Sequence, residues 1–517
     1  MTHARVRTWT LRLGVFLLLG LVTGAAAQQS QKFERWWGRR YAPRAVPRAR
    51  FETRRGQPFS DALARLHHWN RVAIDATGLD HTPEEEGDPH EFGHHLGPGR
   101  SSRAMAIVHI AVFEAVNAID RRYDSYLNLP VVGRRASMDA AIAQAAHDTL
   151  VALFPSQGAH CDQLLAEDLA QIQDGTAKRA GIALGRVVAA AILKRRSNDG
   201  SAHAEPLLNE GYTPGNGPGE WRQDPISELP VALGAHWGDV TPFVLRSVRS
   251  FRVPPPPALN SREYAAAFNE VKRLGGDGVE TKTVRTPDQT FAGIYWAYDG
   301  TPALCAPPRL YNQIAVAIAN QQGSDVAEQA RLLALVNVAM ADAGIAIWES
   351  KYFYKFWRPV TGIREADAGT GPSGRGDGNG ATRGDVAYSP LAAPASNFEG
   401  GSAPNFTPPF PAYPSGHAGF GGAIFQILRN FYGTDDIEFT FVSDELNGVT
   451  TDNQGVVRPL VPRRFRSLSQ AEEENGQSRI YLGIHWSFDK TAGIDQGRRV
   501  ANYVYRNAFT PLEGGTR

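Results

Sequence analysis

Residues 326–357, VAEQARLLALVNVAMADAGIAIWESKYFYKFW, carry apolar side chains at i, i+3, i+4 and i+7 throughout, the spacing that lays one stripe of a helix against a core. The same period recurs over 60–79, 101–120, 138–154 and 176–196, while strand-like alternation is scarce. An all-α fold is therefore predicted. Ser101 and Ser102 stand ahead of their periodic run as N-cap candidates, and Pro155 and Pro359 stand where helices should stop.

Two of these helices resemble each other. RAMAIVHIAVFEA (103–115) aligned on RLLALVNVAMADA (331–343) matches Arg103 with Arg331, Ala106 with Ala334, Val108 with Val336, Ala111 with Ala339 and Ala115 with Ala343, and sets Glu114 against Asp342. A repeated arginine and acid at fixed spacing predict two related four-helix bundles, and 517 residues are long for one core. The bundles are expected over 60–255 and 256–517, with the junction near VPPPPALNS, 253–261. Residues 365–401, rich in glycine and poor in apolar side chains, read as a surface loop. Arg-Gly-Asp occurs there twice, at 375–377 and 383–385, a tripeptide that such a composition produces easily.

Residues 1–27 are expected to be removed. Arg5, Arg7 and Arg12 precede the run LGVFLLLGLVTG, and Ala25-Ala26-Ala27 follow it, the layout of a secretory signal peptide. No later stretch reads as a spanning helix, so a periplasmic or secreted protein is expected. Without those arginines the charge is near neutral, which gives no reason to expect nucleic acid as a partner. Residues 28–59 form an arm in which basic side chains alternate with aromatics and prolines. It is read as an extended segment wrapping the body, with binding to an anionic surface as the alternative. Cys161 and Cys305 are the two cysteines, and an exported compartment permits a bridge between them.

Three separated segments concentrate groups that bind a tetrahedral oxyanion. In KYFYKFWRP, Lys351 and Arg358 are seven apart, which on one helix sends both cations from nearly the same face. In YPSGH, Pro414, Ser415 and Gly416 introduce a helix whose free amides and serine hydroxyl make an anion site, and Gly416 lets an oxygen approach. In SRIYLGIHWSFD, Arg479 and His485 are six apart, and Gly483 supplies a bend that turns them together. Asp489 follows His485 by four and can orient its ring. Singly, Lys351 and Arg358 could be a solvated face and His417 a cap. Jointly they form one site, because a multiply charged oxyanion needs several cations and fixed donors once it leaves water.

The order Lys, six residues, Arg-Pro; Pro-Ser-Gly-His; Ser-Arg, five residues, His, three residues, Asp resembles the signature shared by vanadium-dependent haloperoxidases and type 2 phosphatidic acid phosphatases, and every position is filled. The likeness to fungal-type chloroperoxidases extends through YWAYDG (295–300), PPRLYNQI (307–314), Trp348 and FPAYPSGHAGFGGA (410–423). The resemblance implies two four-helix bundles with vanadate in the second. It implies His485 as the vanadium ligand, with Lys351, Arg358, Ser415, Gly416 and Arg479 on the vanadate oxygens. His417 is then the acid–base residue, Asp299 the partner of Arg479, and Phe410 and Trp348 line the halide site. The implied reaction oxidises bromide, and by Phe410 also chloride, with hydrogen peroxide to hypohalous acid, which then reaches small organic substrates. Lys351 polarises the peroxide and vanadium acts as a Lewis acid.

Other readings stay open at this level. The same pocket holding phosphate makes a secreted acid phosphatase, in which His485 forms a phosphohistidine and His417 protonates the leaving alcohol. Two bundles' worth of chain, the lack of spanning helices, and the Trp348 and Phe410 contexts favour the haloperoxidase. His90-Glu91-Phe92-Gly93-His94 spells a zinc peptidase motif, but Pro89 precedes it, Gly97-Pro98-Gly99 ends it, and Arg100 stands where a third histidine belongs. A noncatalytic adhesion protein explains neither the signature nor its order.

Overall fold

The computed structural model describes residues 32–41, 59–84, 90–398 and 403–512. Its helices are α1 (32–37), α2 (Ala62–Asp80), α3 (Gly97–Ile119), α4 (Met138–Leu153), α5 (Gly158–Leu169), α6 (Thr176–Arg196), α7 (Arg262–Leu274), α8 (Pro287–Tyr295), α9 (Pro308–Gln321), α10 (Val326–Tyr354), α11 (Pro359–Arg364), α12 (Gly416–Tyr432), α13 (Leu468–Tyr481) and α14 (Ser487–Asn507). A single antiparallel pair, Phe439–Phe441 with Arg463–Phe465, is the sheet among the described residues. The expected all-α class holds.

Helix starts follow local chemistry. Asp61 caps α2 on the Ala64 amide, Ser137 caps α4 on Ala140, and Asp325 with Glu328 closes a capping box on α10. Ser101 and Ser102 are not caps. The helix begins four residues earlier, with Leu96 as N-cap and Pro98 in its first turn, because proline gives up no hydrogen bond there. The two serines instead donate to the carbonyls of Gly97 and Gly99 inside the helix.

Around α4 pack α2, α3 and α6, while α10 packs on α3, α12 and α14. The central pair, α3 and α10, is long and apolar enough to cross a membrane by composition, yet 94% and 100% of the tested stretches lie buried within the fold. Their sequence kinship has a structural counterpart. Glu114 accepts the amides of Tyr126 and Leu127, at 2.6 and 3.1 Å, and Asp342 accepts those of Phe243, Val244 and Leu245 at 2.6–2.9 Å. Each acid thus anchors a passing loop to its helix. The matched arginines differ, since Arg103 pairs with Asp199 and Arg331 bonds the Phe509 carbonyl.

The basic arm is not extended where it is described. Phe33, Trp37 and Tyr41, four apart, face one way from α1 and the turn after it into a cluster with Phe92, Phe398 and Phe406. Aromatic spacing of one helical turn prevails here over the proline-rich character of the arm as a whole. Residues 42–58 and the proposed signal peptide lie outside the described residues. Cys161 and Cys305 are both buried and free, so the permitted bridge is not made: one thiol sits on α5, the other beside Ser101 of α3. The loop 365–398 is tied down by bonds such as the Asp385 amide to the Ile363 carbonyl, and Asp377 is buried in its own turn.

The histidines of the zinc-like motif are on a loop and do not converge, and the His94 ring makes no hydrogen bond through its buried Nε2 among the described residues. His90 donates to the Thr82 carbonyl, the amides of His94 and His95 bind Asp80, and His95 donates to the Leu153 carbonyl. Among the described residues no cluster of His, Cys, Asp and Glu is arranged to hold a metal ion.

Candidate active site

The three signature segments converge. Lys351, in the last turn of α10, is fully buried and donates to the carbonyls of Pro411 and Ala412 at 2.7 and 2.9 Å. Arg358 does not continue that helix. Tyr354 ends α10, Lys355 turns left-handed at φ 51°, and Arg358 becomes the N-cap of α11. The two cations meet through the reversal rather than through seven-residue spacing. Arg358 is held by its Nε to the Phe410 carbonyl and its Nη1 to the Ile484 carbonyl. The Phe410 ring packs against both cations and Trp348, with centroid distances of 5.0, 4.8 and 4.9 Å.

Ser415 caps α12, and Gly416 is its first residue. A Cβ on Gly416 would press on the Trp348 ring at 3.3 Å, with Lys351 Cε 4.0 Å away, so glycine keeps the anion-facing amide open. His417 donates from Nε2 to the Ala297 carbonyl, and its Nδ1 lies 3.8 Å from Asp299. Asp299 in turn receives both 2.7 and 2.9 Å bonds from Nη2 of Arg479.

Gly483 provides the bend that brings Arg479 and His485 together, at φ 74° and packed against the Gly275 carbonyl where no side chain fits. His485 donates from Nδ1 to Asp489 at 2.8 Å, and the same oxygen accepts the Trp486 amide. That fixes the tautomer: Nε2 is unprotonated, and its lone pair accepts from Nη1 of Arg358 at 2.9 Å.

Burial dominates the electrostatics. It drives Lys351 well below the usual amine value, aided by Arg358, and pushes Arg358 down to about 9. Burial first, then the nearby cations, keep His485 and His417 neutral. Asp489 is raised to about 7 by burial. Two guanidinium groups and an amine, the charge on Lys351 opposed by burial, therefore face two carboxylates with both histidines neutral in a water-poor space. Within it Nη2 of Arg358 and Nε and Nη1 of Arg479 are buried with no partner. Buried donors of this kind are a set that an oxyanion would satisfy. A narrow cavity of about 40 Å³ reaches Gly416, His417, Arg479 and His485.

Further residues shape this site without appearing in the signature. The cavity wall includes His81, Trp36 and Trp37. Asn475 and Tyr311 lie 2.9 and 3.0 Å from the His417 carbonyl and hold the first turn of α12. Most telling are glycines on the facing sides of α12 and α14. A Cβ on Gly493 would meet the Ser415 carbonyl, and one on Gly497 the Gly419 carbonyl. The helices touch backbone to backbone, which sets Ser415 and Gly416 beside the His485–Asp489 turn. Pairs of glycines one turn apart on both helices were the signal in the sequence.

A family model described as the VCPO second helical-bundle domain matches residues 331–514. The vanadium chloroperoxidase of Curvularia inaequalis is 31% identical over 509 residues, spanning 83% of this chain and 79% of that protein. A bacterial vanadium-dependent iodoperoxidase structure aligns with a TM-score of 0.66 at 23% identity, covering 89% of this chain and 100% of its own. An apo-type bacterial vanadium-dependent chloroperoxidase gives 0.59 at 17%, over 80% and 94% of the two chains. At those identities the two structures speak for the fold alone.

Proposed function

The chain belongs to the vanadium-dependent haloperoxidase family, and from that premise we propose that it binds vanadate and uses hydrogen peroxide to oxidise bromide and chloride to hypohalous acid. The observation that carries the reading is the set of unpartnered guanidinium donors on Arg358 and Arg479 beside the unprotonated Nε2 of His485, to which only Arg358 donates among the described residues. This donor set fits a tetrahedral oxyanion with one open position for nitrogen. When bound, vanadate supplies a Lewis-acidic centre that activates peroxide without itself being reduced.

The chain's own residues do the rest. His485 offers Nε2 as ligand because Asp489 holds the proton on Nδ1. Lys351, Arg358 and Arg479 neutralise the oxyanion, joined by the Ser415 hydroxyl and the Gly416 amide. Asp299 keeps the Arg479 fork aimed inward. His417, anchored through Nε2, keeps Nδ1 for taking and returning a proton. Phe410 and Trp348 cover Lys351 and keep water from its charge, which strengthens its pull on a neighbouring oxygen. Export directed by residues 1–27 and a bundle junction near 253–261 belong to the same proposal and rest on sequence.

Apoprotein given vanadate should gain peroxide-dependent bromide oxidation, phosphate should compete, and zinc should have no effect. Vanadate-loaded protein that oxidises no halide while hydrolysing phosphomonoesters would replace this reading with the phosphatase.

A further inference from the structure

We propose that a second cleft, built from α1, the 92–96 loop, α3 and the end of α6, binds an aromatic carboxylate. The cleft encloses about 580 Å³, within the range of small-molecule sites. It shares Trp36 with the catalytic cavity, so one indole forms a wall of both. None of its charged groups takes part in the oxyanion site.

Five basic side chains line it: Lys32, Arg35, Arg100, Arg103 and Arg196. Two carboxylates form ion pairs with them. Glu205 pairs with Arg100, and Asp199 is shared by Arg103 and Arg196 at 2.6 and 2.8 Å. Arg100 and Arg103, three apart on α3, present one face. Lys32 and Arg35, three apart on α1, are exposed and form no ion pair among the described residues. Glu84 accepts the Phe92 amide at 2.7 Å and lies close enough to Lys32 to offset part of its charge without forming an ion pair, which still leaves five cations to three carboxylates. Nε of Arg196, a side chain only 3% exposed, is a buried donor without a partner. The charge excess calls for an anion.

The walls choose its kind. Trp36, Phe92, Leu96, Leu153, Leu193 and Val231 surround the cations. An inorganic anion would leave this apolar surface wet, and a neutral aromatic would leave the cations unanswered. A flat ring bearing a carboxylate meets both demands, with the guanidinium groups as forked donors to its oxygens.

The test is calorimetric titration of 2-naphthoate into the full chain saturated with vanadate, without peroxide, so that it stands apart from halide chemistry. Binding is expected in the sub-millimolar range at low salt, weakening as salt rises. Lys32→Glu with Arg35→Glu should weaken it about tenfold or more, and Arg35→Gln should weaken it less, while vanadate affinity stays at the parent value in both. 2-Naphthylmethanol should bind at least about tenfold more weakly than naphthoate. Naphthoate that binds only when vanadate is absent occupies the oxyanion site and overturns the proposal. So does binding by the double variant equal to the parent's, or no heat at about 10 mM ligand.

Discussion

Replacing Gly493 by alanine tests whether the touching backbones of α12 and α14 set the geometry of the oxyanion site. The new Cβ would stand 2.5 Å from the Ser415 carbonyl oxygen, 3.1 Å from Ala418 Cβ and 3.2 Å from the Gly419 nitrogen. Carbon and oxygen rest no closer than about 3.3 Å, so the helices must part there by about 0.8 Å. Gly497 keeps its own contact with Gly419 one turn on and acts as the pivot, so the opening falls on the Ser415–Gly416 end. Overpacking of this sort costs about 1–3 kcal/mol of stability. A displacement approaching 1 Å in a site of fixed donors costs about a hundredfold in function. The expected result is vanadate affinity about 10–100-fold weaker and turnover reduced at saturating vanadate, measured by calorimetry and by bromide oxidation beside a denaturant melt. Gly380→Ala, where a Cβ would meet nothing within 4 Å, is the control and should match the parent. A Gly493→Ala protein that is destabilised by about 2 kcal/mol yet binds vanadate and turns over like the parent would show that the helix contact serves stability only.

His485→Ala should lose tight vanadate binding, whereas His417→Ala should keep it and lose most turnover, and equal affinity in the two variants would remove His485 as the ligand. Phe410→His should lower chloride oxidation relative to bromide by admitting water beside Lys351; a parent that oxidises no chloride at any acidic pH would reduce Phe410 to packing. His109, buried in α3 with neither ring nitrogen partnered, has its value pushed down to about 3 by burial. A histidine lowered by folding contributes stability fully above its unfolded value of about 6.5, and that stability falls by about 1.4 kcal/mol per pH unit as acid is added. Denaturant melts at pH 6.5 and 4.5 should therefore show the parent losing about 2 kcal/mol more than His109→Leu, since the unfolded ring is already half protonated at pH 6.5, and parallel losses would contradict the assignment.

Legibility in the sequence followed the range of the interactions. Period placed α2, α4, α6 and α10 within a few residues, because it is a local signal. The signature positions met in one site, since each segment carries its own charge chemistry. Reading Lys351 and Arg358 as one helical face failed because Lys355 takes a left-handed conformation with no glycine to announce it. Starting α3 at Ser101 failed because Gly97-Pro98 looked like a stop and is a start. The helical arm, the second indole wall and the α12–α14 contact depend on partners far along the chain. No window of sequence contains both sides of such a contact.

Lys351 is gripped by two backbone carbonyls, and Arg358 by two more. The cations are thus parked by the polypeptide itself, and folding need not wait for the oxyanion. A protein so built could fold empty and be charged later, and the working fraction of a population would then report the vanadate and phosphate in its surroundings. Scarcity of the element would then throttle output without any change in how much protein is made.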